Sequence, residues 1–435
     1  MTSVSPSPTH FNLTNAPGAS PPFRTPPEGS LETASKLLQE NHERFHIFFN
    51  EDGFHNHIAH HLATLHALGA STSQLQSAFS NNTSYQWRLK PATQDLSNPD
   101  TFAKTLGSND DYASYLRFFE AYLSTHSVPN TLSTYLFTHT PQANDLLVRL
   151  VSGLLHPLLH LGFALRTAQP ALTAEALAMA AVHDNWMGKL LLPAEERAAS
   201  TNAASTPAFL ALVDEMRTDP TIASAPHWSD GNKIRDGLLG RAAEPTIAGL
   251  ARWRVAPTEE AVAKATAQVL DGTAWLTLGA QREGKAPRMD FFLIHGVNAA
   301  GVWAPVLLGR GLGREIKVKD RARLCEWIGR VAILNYLARG APEPRLEAVE
   351  GWGTGDGWDS VLERACELPD DGHAAKVVRA LREGEDICKG VEGGKMEGKW
   401  LKGAALLVDS VEGHEDRWVR GAGFKEAWEG VPAKL

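Results

Sequence analysis

Apolar residues recur through this chain at the three- and four-residue spacing of an amphipathic helix, and that spacing limits the folds open to it. Examples are "LETASKLLQENHERFHIFFNE" (31–51), "DDYASYLRFFEAYLSTH" (110–126), "LTAEALAMAAVHDNWMGKLLL" (172–192) and "RARLCEWIGRVAILNYLARG" (321–340). Alternation of the strand type is scarce. Short connections such as "SVPN", "RTAQP" and "GAPEP" suit helix-to-helix joints, and "ERAASTNAASTP" (196–207) reads as a longer exposed loop. The spacing predicts an all-α fold, organised as one large helical domain over 30–435. Residues 1–29, rich in Pro, Ser and Thr, lack a secretory leader's basic start and apolar run, and read as a disordered arm.

With 50 acidic and 42 basic residues in 435 and no long charge block, the chain has no electrostatic footprint for nucleic acid or an anionic membrane. A small or apolar partner is expected instead. Three cysteines without a C-x-x-C pair, Cys325, Cys366 and Cys388, argue against a disulfide framework or a thiolate zinc site, and for a reducing, cytoplasmic setting. The stretch "LLVRLVSGLLHPLLHLGFAL" (146–165) is long enough for a membrane span, but Arg149, Ser152, His156, Pro157 and His160 interrupt it, so a buried core helix is expected. Two glycine-rich pieces, "GWGTGDGW" and "GVEGGKMEGKW", fit no nucleotide-binding fingerprint and read as loops.

Imidazole is concentrated in "FHNHIAHHLATLHALGAS" (54–71), which carries His55, His57, His60, His61 and His66. At about 100° per residue, Ile58, Leu62 and Leu65 define an apolar stripe with His57 and His61 at its edge, whereas His60 points toward a polar side. A second pair, His156 and His160, lies one turn apart beside Pro157, whose missing amide disturbs the preceding turn. A buried neutral imidazole has one N–H and one lone pair to satisfy. A metal can take the lone pair while a carbonyl or carboxylate takes the N–H. For any histidine taken singly, a core residue bonded to backbone is the commoner outcome; the number of them here favours a site. Two more positions join the candidates: His295 in "FFLIHGVNAAGVWAP", and His373 in "LPDDGHAAKVVRALREGE", where Asp370 or Asp371 can cap a helix that sets His373 and Lys376 on one face. A lysine beside a metal ligand must be deprotonated or carbamylated to avoid repelling the cation.

The fragments "NHIAHHLATLHALGAS" (56–71), "HPLLHLGFALR" (156–166), "LIHGVNAAGVW" (293–303) and "DGHAAKVVRAL" (371–381), in this order, resemble the questin oxidase-like family of fungal and bacterial oxygenases. The resemblance covers roughly residues 40–385. It implies an all-α oxygenase with a mononuclear non-haem iron(II) site held by His57, His156, His295, His373 and a carbamylated Lys376, the carbamate deriving from carbon dioxide. His60, His61 and His160 are then assigned to orienting or packing roles. The implied chemistry is dioxygen-dependent ring opening of an anthraquinone-type aromatic polyketide in fungal secondary metabolism, with NADPH a candidate reductant and Lys376 a candidate proton acceptor. Asn298 stands where the family pattern has threonine. Trp186, Trp275, Trp303 and Trp327 are candidate walls for a flat substrate, although core packing explains most single tryptophans.

Three rival readings remain open from the residues alone. His183-Asp184, joined by His156 and Asp214, imitates the helical metal-dependent phosphohydrolases. A di-iron bundle needs two Glu-x-x-His motifs, of which only Glu43 to His46 occurs. A non-enzymatic helical scaffold would leave every histidine satisfied by packing.

Overall fold

The computed structural model describes residues 5–14, 16–200, 206–345, 347–355 and 357–434. Its described residues are all-α apart from two short strands. These are β1 (Met289–Asp290) and β2 (Trp418–Val419), which pair in parallel. Within the helical stretch, packing distinguishes two compact units. Unit 1 comprises Met1–Asn185, Gly309–Ile316 and Leu362–Arg379, and unit 2 comprises Trp186–Leu308, Lys317–Val361 and Ala380–Leu435.

In unit 1, α1 (Ser30–Arg44) packs on α2 (Ile58–Leu68), while α3 (Tyr112–Leu123), α4 (Pro141–Leu150) and α5 (His156–Thr167) surround α6 (Pro170–Val182). Every residue of α6 from Ala171 to Val182 is buried, as expected of a helix that is apolar on all sides. Glu175 is the one ionisable side chain in it. In unit 2, α7 (Glu259–Gly279), α8 (Leu293–Leu307) and α9 (Val318–Ala338) pack on one another. The last site helix is α10 (His373–Ile387).

Three predicted helices are shorter or broken. α1 stops when Phe45 turns extended, and the following residues form isolated bridges, Phe45 with Arg88 and Phe48 with His55. The 172–192 stretch breaks at His183, also extended, and resumes at Gly188. The apolar 146–165 stretch is two helices, α4 and α5, bent by 64°. The bend has a local cause: Leu154 and Leu155 adopt left-handed φ values of 55° and 67°, and Pro157 then falls in the first turn of α5, where its missing N–H leaves no bond unmade. Among the described residues no single helix is long and apolar enough to cross a membrane.

The described part of the N-terminal stretch is seated on unit 1, unlike the loose arm its composition suggests. Phe11 and Leu13 are buried, the Phe11 and Asn12 amides donate to Gln39 and Gln169 side chains, and the Phe23 amide donates to the Ala67 carbonyl. The two apolar anchors and these backbone bonds fix what Pro and Ser content alone would leave unfolded. Residues 1–4 and Asn15 lie outside the described residues, as do 201–205 of the expected 196–207 loop. Cys325, Cys366 and Cys388 are buried thiols.

Candidate metal centre

His57 is the residue that caps the start of α2, and His156 opens α5. His373 opens α10. One ring nitrogen from each of the three lies within 4.8 Å of the other two, and all three side chains are buried. Leu155 and Gly372, each with a left-handed backbone, immediately precede His156 and His373.

The orientation of the rings decides what they can bind. His57 Nδ1 lies 2.7 Å from Asp371 Oδ2, and His373 Nδ1 lies 2.5 Å from Asp371 Oδ1. Burial opposes ionisation of Asp371, but the His373 and His57 imidazoles outweigh it and hold the carboxyl well below the usual range. As a carboxylate it only accepts, so both Nδ1 atoms donate. His156 Nδ1 donates to the Gly153 carbonyl at 2.6 Å. Burial and the Lys376 charge pull His57 down to about 3, so its ring is neutral near pH 7. Neutral His57 therefore presents an Nε2 lone pair toward His156 Nε2, 2.7 Å away. Two facing lone pairs at that distance repel unless a cation lies beside both.

Two glycines make room for the rings. At Gly153, with φ of 53°, a Cβ would fall 2.2 Å from His183 Nε2, and at Gly372, with φ of 88°, it would fall 2.7 Å from His61 Cγ. Both positions also need the left-handed backbone that glycine adopts at little cost.

Lys376 follows His373 by one turn of α10 and is 2% exposed. Its Nζ has no hydrogen-bond partner among the described residues, and burial pushes the amine down to about 8. A buried amine of this kind exists partly as the neutral nucleophile that carbon dioxide attacks. His295 belongs to unit 2, in the first turn of α8. It is fully buried and donates Nδ1 to the Phe291 carbonyl at 2.7 Å, which leaves Nε2 as its accepting atom. This is the tautomer found at His156.

Other candidates settle differently. Periodicity directs His60 toward a polar side, yet it is 0% exposed, because every residue of α2 except His66 is buried. Its Nε2 meets His160 Nδ1 at 3.0 Å, and His61 lies under Gly372. His183 is buried, with Nδ1 on the Met179 carbonyl and Nε2 2.8 Å from His55, while its neighbour Asp184 is exposed; Asp214 is also exposed and paired with Arg217. The His-Asp pair is thus split between interior and surface, which removes the phosphohydrolase pattern. Both ring nitrogens of His46 are taken, by the Asn109 carbonyl and the Phe48 amide, so the lone Glu-x-x-His is structural. Within unit 2, Trp303 and Trp327 are fully buried, Trp327 bonding Glu195 and stacking under Arg323, and Trp186 and Trp275 are half-buried.

Asp371 is the site residue that sequence reasoning passed over. The sequence offers it only as a helix cap, and that task falls to Asp370, which accepts from the Gly372 and Ala374 amides. The available signal was the doubled aspartate: one cap needs one carboxylate.

An all-α chain that gathers three buried imidazoles at helix starts, each with its Nδ1 bonded to an oxygen, has the makings of a metal-binding enzyme. The profile of the Questin oxidase-like family matches residues 54–381, and the chain belongs to that family. It is similar to the oxidoreductase AflY of Aspergillus parasiticus, 37% identical over 405 residues, covering 90% of this chain and 81% of the relative. Questin oxidase of Aspergillus fumigatus is 36% identical over 431 residues, 94% of this chain and 95% of the relative. Baeyer-Villiger oxidase ptaJ of Pestalotiopsis fici is 34% identical over 426 residues, 94% of each. The chain is an enzyme, an oxidoreductase of the oxygenase type.

Proposed function

We propose that this oxygenase uses iron(II) and dioxygen to open a ring of an anthraquinone-type aromatic polyketide in fungal secondary metabolism. The observation that carries the metal is the 2.7 Å approach of the His57 and His156 Nε2 atoms, each ring having its Nδ1 proton committed to an oxygen. Nitrogen donors with an anionic oxygen donor suit iron(II). His57, His156 and His373 would hold it, with His295 and the carbamate of Lys376 as the further ligands the resemblance implies. Iron(II) supplies the unpaired electrons that remove the spin barrier to reaction of triplet dioxygen with a closed-shell aromatic ring.

The chain's own residues have separate tasks. Asp371 keeps the His57 and His373 tautomers that point nitrogen lone pairs away from it. Lys376, as the neutral amine or its carbamate, accepts a phenolic proton from the substrate. The names of the relatives, questin oxidase and Baeyer-Villiger oxidase, support insertion of oxygen beside a ring carbonyl. In that reaction one oxygen atom enters the carbon–carbon bond. The other leaves as water, taking two electrons from a reduced nicotinamide and two protons.

The test is elemental analysis of protein purified without added metal, beside His57→Ala, His156→Ala, His295→Ala and His373→Ala, followed by oxygen-uptake assays with hydroxyanthraquinones. About one iron per chain in the parent and its loss from the variants is expected. Iron absent from the parent, or retained in all four variants, would falsify the reading.

A further inference from the structure

A file of hydrogen-bonded ionisable side chains leaves the histidine centre and reaches the surface of unit 1. The His60 ring lies 5.9 Å from that of His57 and 6.2 Å from that of His156, centroid to centroid. His60 Nε2 meets His160 Nδ1 at 3.0 Å, and His160 Nε2 meets Glu175 Oε2 at 2.6 Å. The other carboxylate oxygen of Glu175 meets His42 Nδ1 at 2.6 Å, and His42 Nε2 reaches Glu120 Oε1 at 3.0 Å. Glu120 and His42 line a surface pocket of about 270 Å³, whose rim carries Lys90, Arg117 and Glu43.

Nothing in the packing of unit 1 requires this file. Glu175 is the sole carboxylate in α6, a helix otherwise apolar and buried, and an isoleucine or leucine would fill its place without any burial of charge. Five helices, α1, α2, α3, α5 and α6, contribute one member or more, so the arrangement is not the by-product of one helix face.

We propose that His60, His160, Glu175, His42 and Glu120 form a proton relay between the histidine centre and solvent. The proposal rests on the oxygenase reading only for what uses the proton. Each link has one donor and one acceptor. Glu175 accepts from both neighbours, so His160 donates from Nε2 and accepts at Nδ1 from His60. His42 faces the Glu175 and Glu120 carboxylates, with the Phe11 ring edge-on 5.5 Å away, and is doubly protonated. Although burial opposes it, the two glutamates raise His42 to about 10. Inside, His60 Nδ1 has no hydrogen-bond partner among the described residues, so it is the open end of the file.

Transfer conserves protons and moves no electrons. A proton arriving at His60 Nδ1 releases the Nε2 proton to His160 Nδ1, and His160 passes its Nε2 proton to Glu175. Glu175, now neutral, no longer stabilises the His42 cation, so His42 gives its Nε2 proton to Glu120 while keeping its Nδ1 proton on Glu175 Oε1, and Glu120 releases a proton to water. One proton has entered and one has left. Glu175 then holds a proton against the His160 Nε2 lone pair and His42 is neutral, so the buried ion pair of the resting state is lost and the return of a proton inward restores it. That alternation suits a reaction that first removes a phenolic proton and later supplies one for water.

The experiment uses the iron-loaded protein with ¹⁵N-histidine labelling. The parent is expected to show both ring N–H groups of His42 at pH 7 and downfield shifts for the His160–Glu175 proton. Glu175→Gln, which can accept but cannot pass a proton, is expected to retain iron and lose at least about tenfold in turnover, within the range of general acid–base contributions. His42→Ala opens the pocket to solutes, and added imidazole is expected to restore turnover there and not in Glu175→Gln. A neutral His42 in the parent, a Glu175→Gln enzyme within about twofold of the parent, or His42→Ala deaf to imidazole overturns the relay. A parent without oxygen uptake defeats the functional proposal instead, and the resonances of His42 and His160 still decide the relay.

Discussion

The Nε2 atoms of His57 and His156 stand 2.7 Å apart while the Nδ1 of each ring is bonded to Asp371 or to the Gly153 carbonyl, so a proton between them would make one ring a cation. The arrangement is relaxed only by a cation that both lone pairs can share. Iron(II) at about a hundred times its dissociation constant should therefore raise the unfolding free energy of the parent by roughly 2.7 kcal/mol. The His156→Ala variant should gain almost nothing. Urea denaturation with and without metal, under argon, measures both, and an equal gain in the two proteins would count against the site.

Asp371 fixes two ligand rings with one carboxylate. Asp371→Asn keeps the shape and can offer an amide N–H where the rings need an acceptor, so one ring must turn or change tautomer. Metal affinity is expected to fall about 10- to 100-fold. Chelator competition gives the value, whereas Asp370→Asn, which touches only the cap of α10, should leave metal affinity close to that of the parent.

The pH dependence of stability carries the mark of Glu175 and His42. Burial would raise Glu175, but bonds from His160 and His42 hold it near 2 against an unperturbed 4.5, so its contribution is full above about 4.5 and is lost as pH falls through about 2. His42 is raised from 6.5 to about 10, so its contribution is full below about 6.5 and is lost as pH rises through about 10. The stability difference between parent and Glu175→Gln should be greatest between those unfolded values and shrink toward both extremes. A difference that is flat from pH 3 to pH 10 would show the two groups to be uncoupled from folding.

The tight turn before α5 allows a paired test. Gly153→Ala sets a methyl against His183 in a left-handed backbone and should cost about 1–3 kcal/mol. At Leu154, half-buried and also left-handed, glycine removes the backbone penalty, so Leu154→Gly should fall within about 1 kcal/mol of the parent. Denaturant midpoints rank the two. Equal losses would mean that side-chain packing, not backbone geometry, governs this turn.

Helix period and the order of four short fragments carried most of what could be read in advance: the all-α class, and His57, His156 and His373 with Lys376 one turn on. The misreadings share a cause. Periodicity reports a polar face only when one side of a helix meets water, and in α2 every residue except His66 is buried, so the outward direction that periodicity gives His60 leads into the interior. Pro157 suggests a distortion within one long helix, but the chain has already turned at Leu154 and Leu155, residues whose identity gives no hint of left-handed backbone. The pairing of Asp371 with His57 and of Glu175 with His42 is out of reach of sequence because the partners lie far apart along the chain, 314 residues and 133 residues.

Unit 1 is assembled from three separate segments, and the last of them, Leu362–Arg379, brings Asp371, His373 and Lys376. A nascent chain that has emerged as far as Val361 holds His57 and His156 but neither the carboxylate that orients His57 nor the third imidazole. On the proposed reading metal uptake at this centre is consequently a late event of biosynthesis, and a chain truncated before residue 371 lacks Asp371, His373 and Lys376 together.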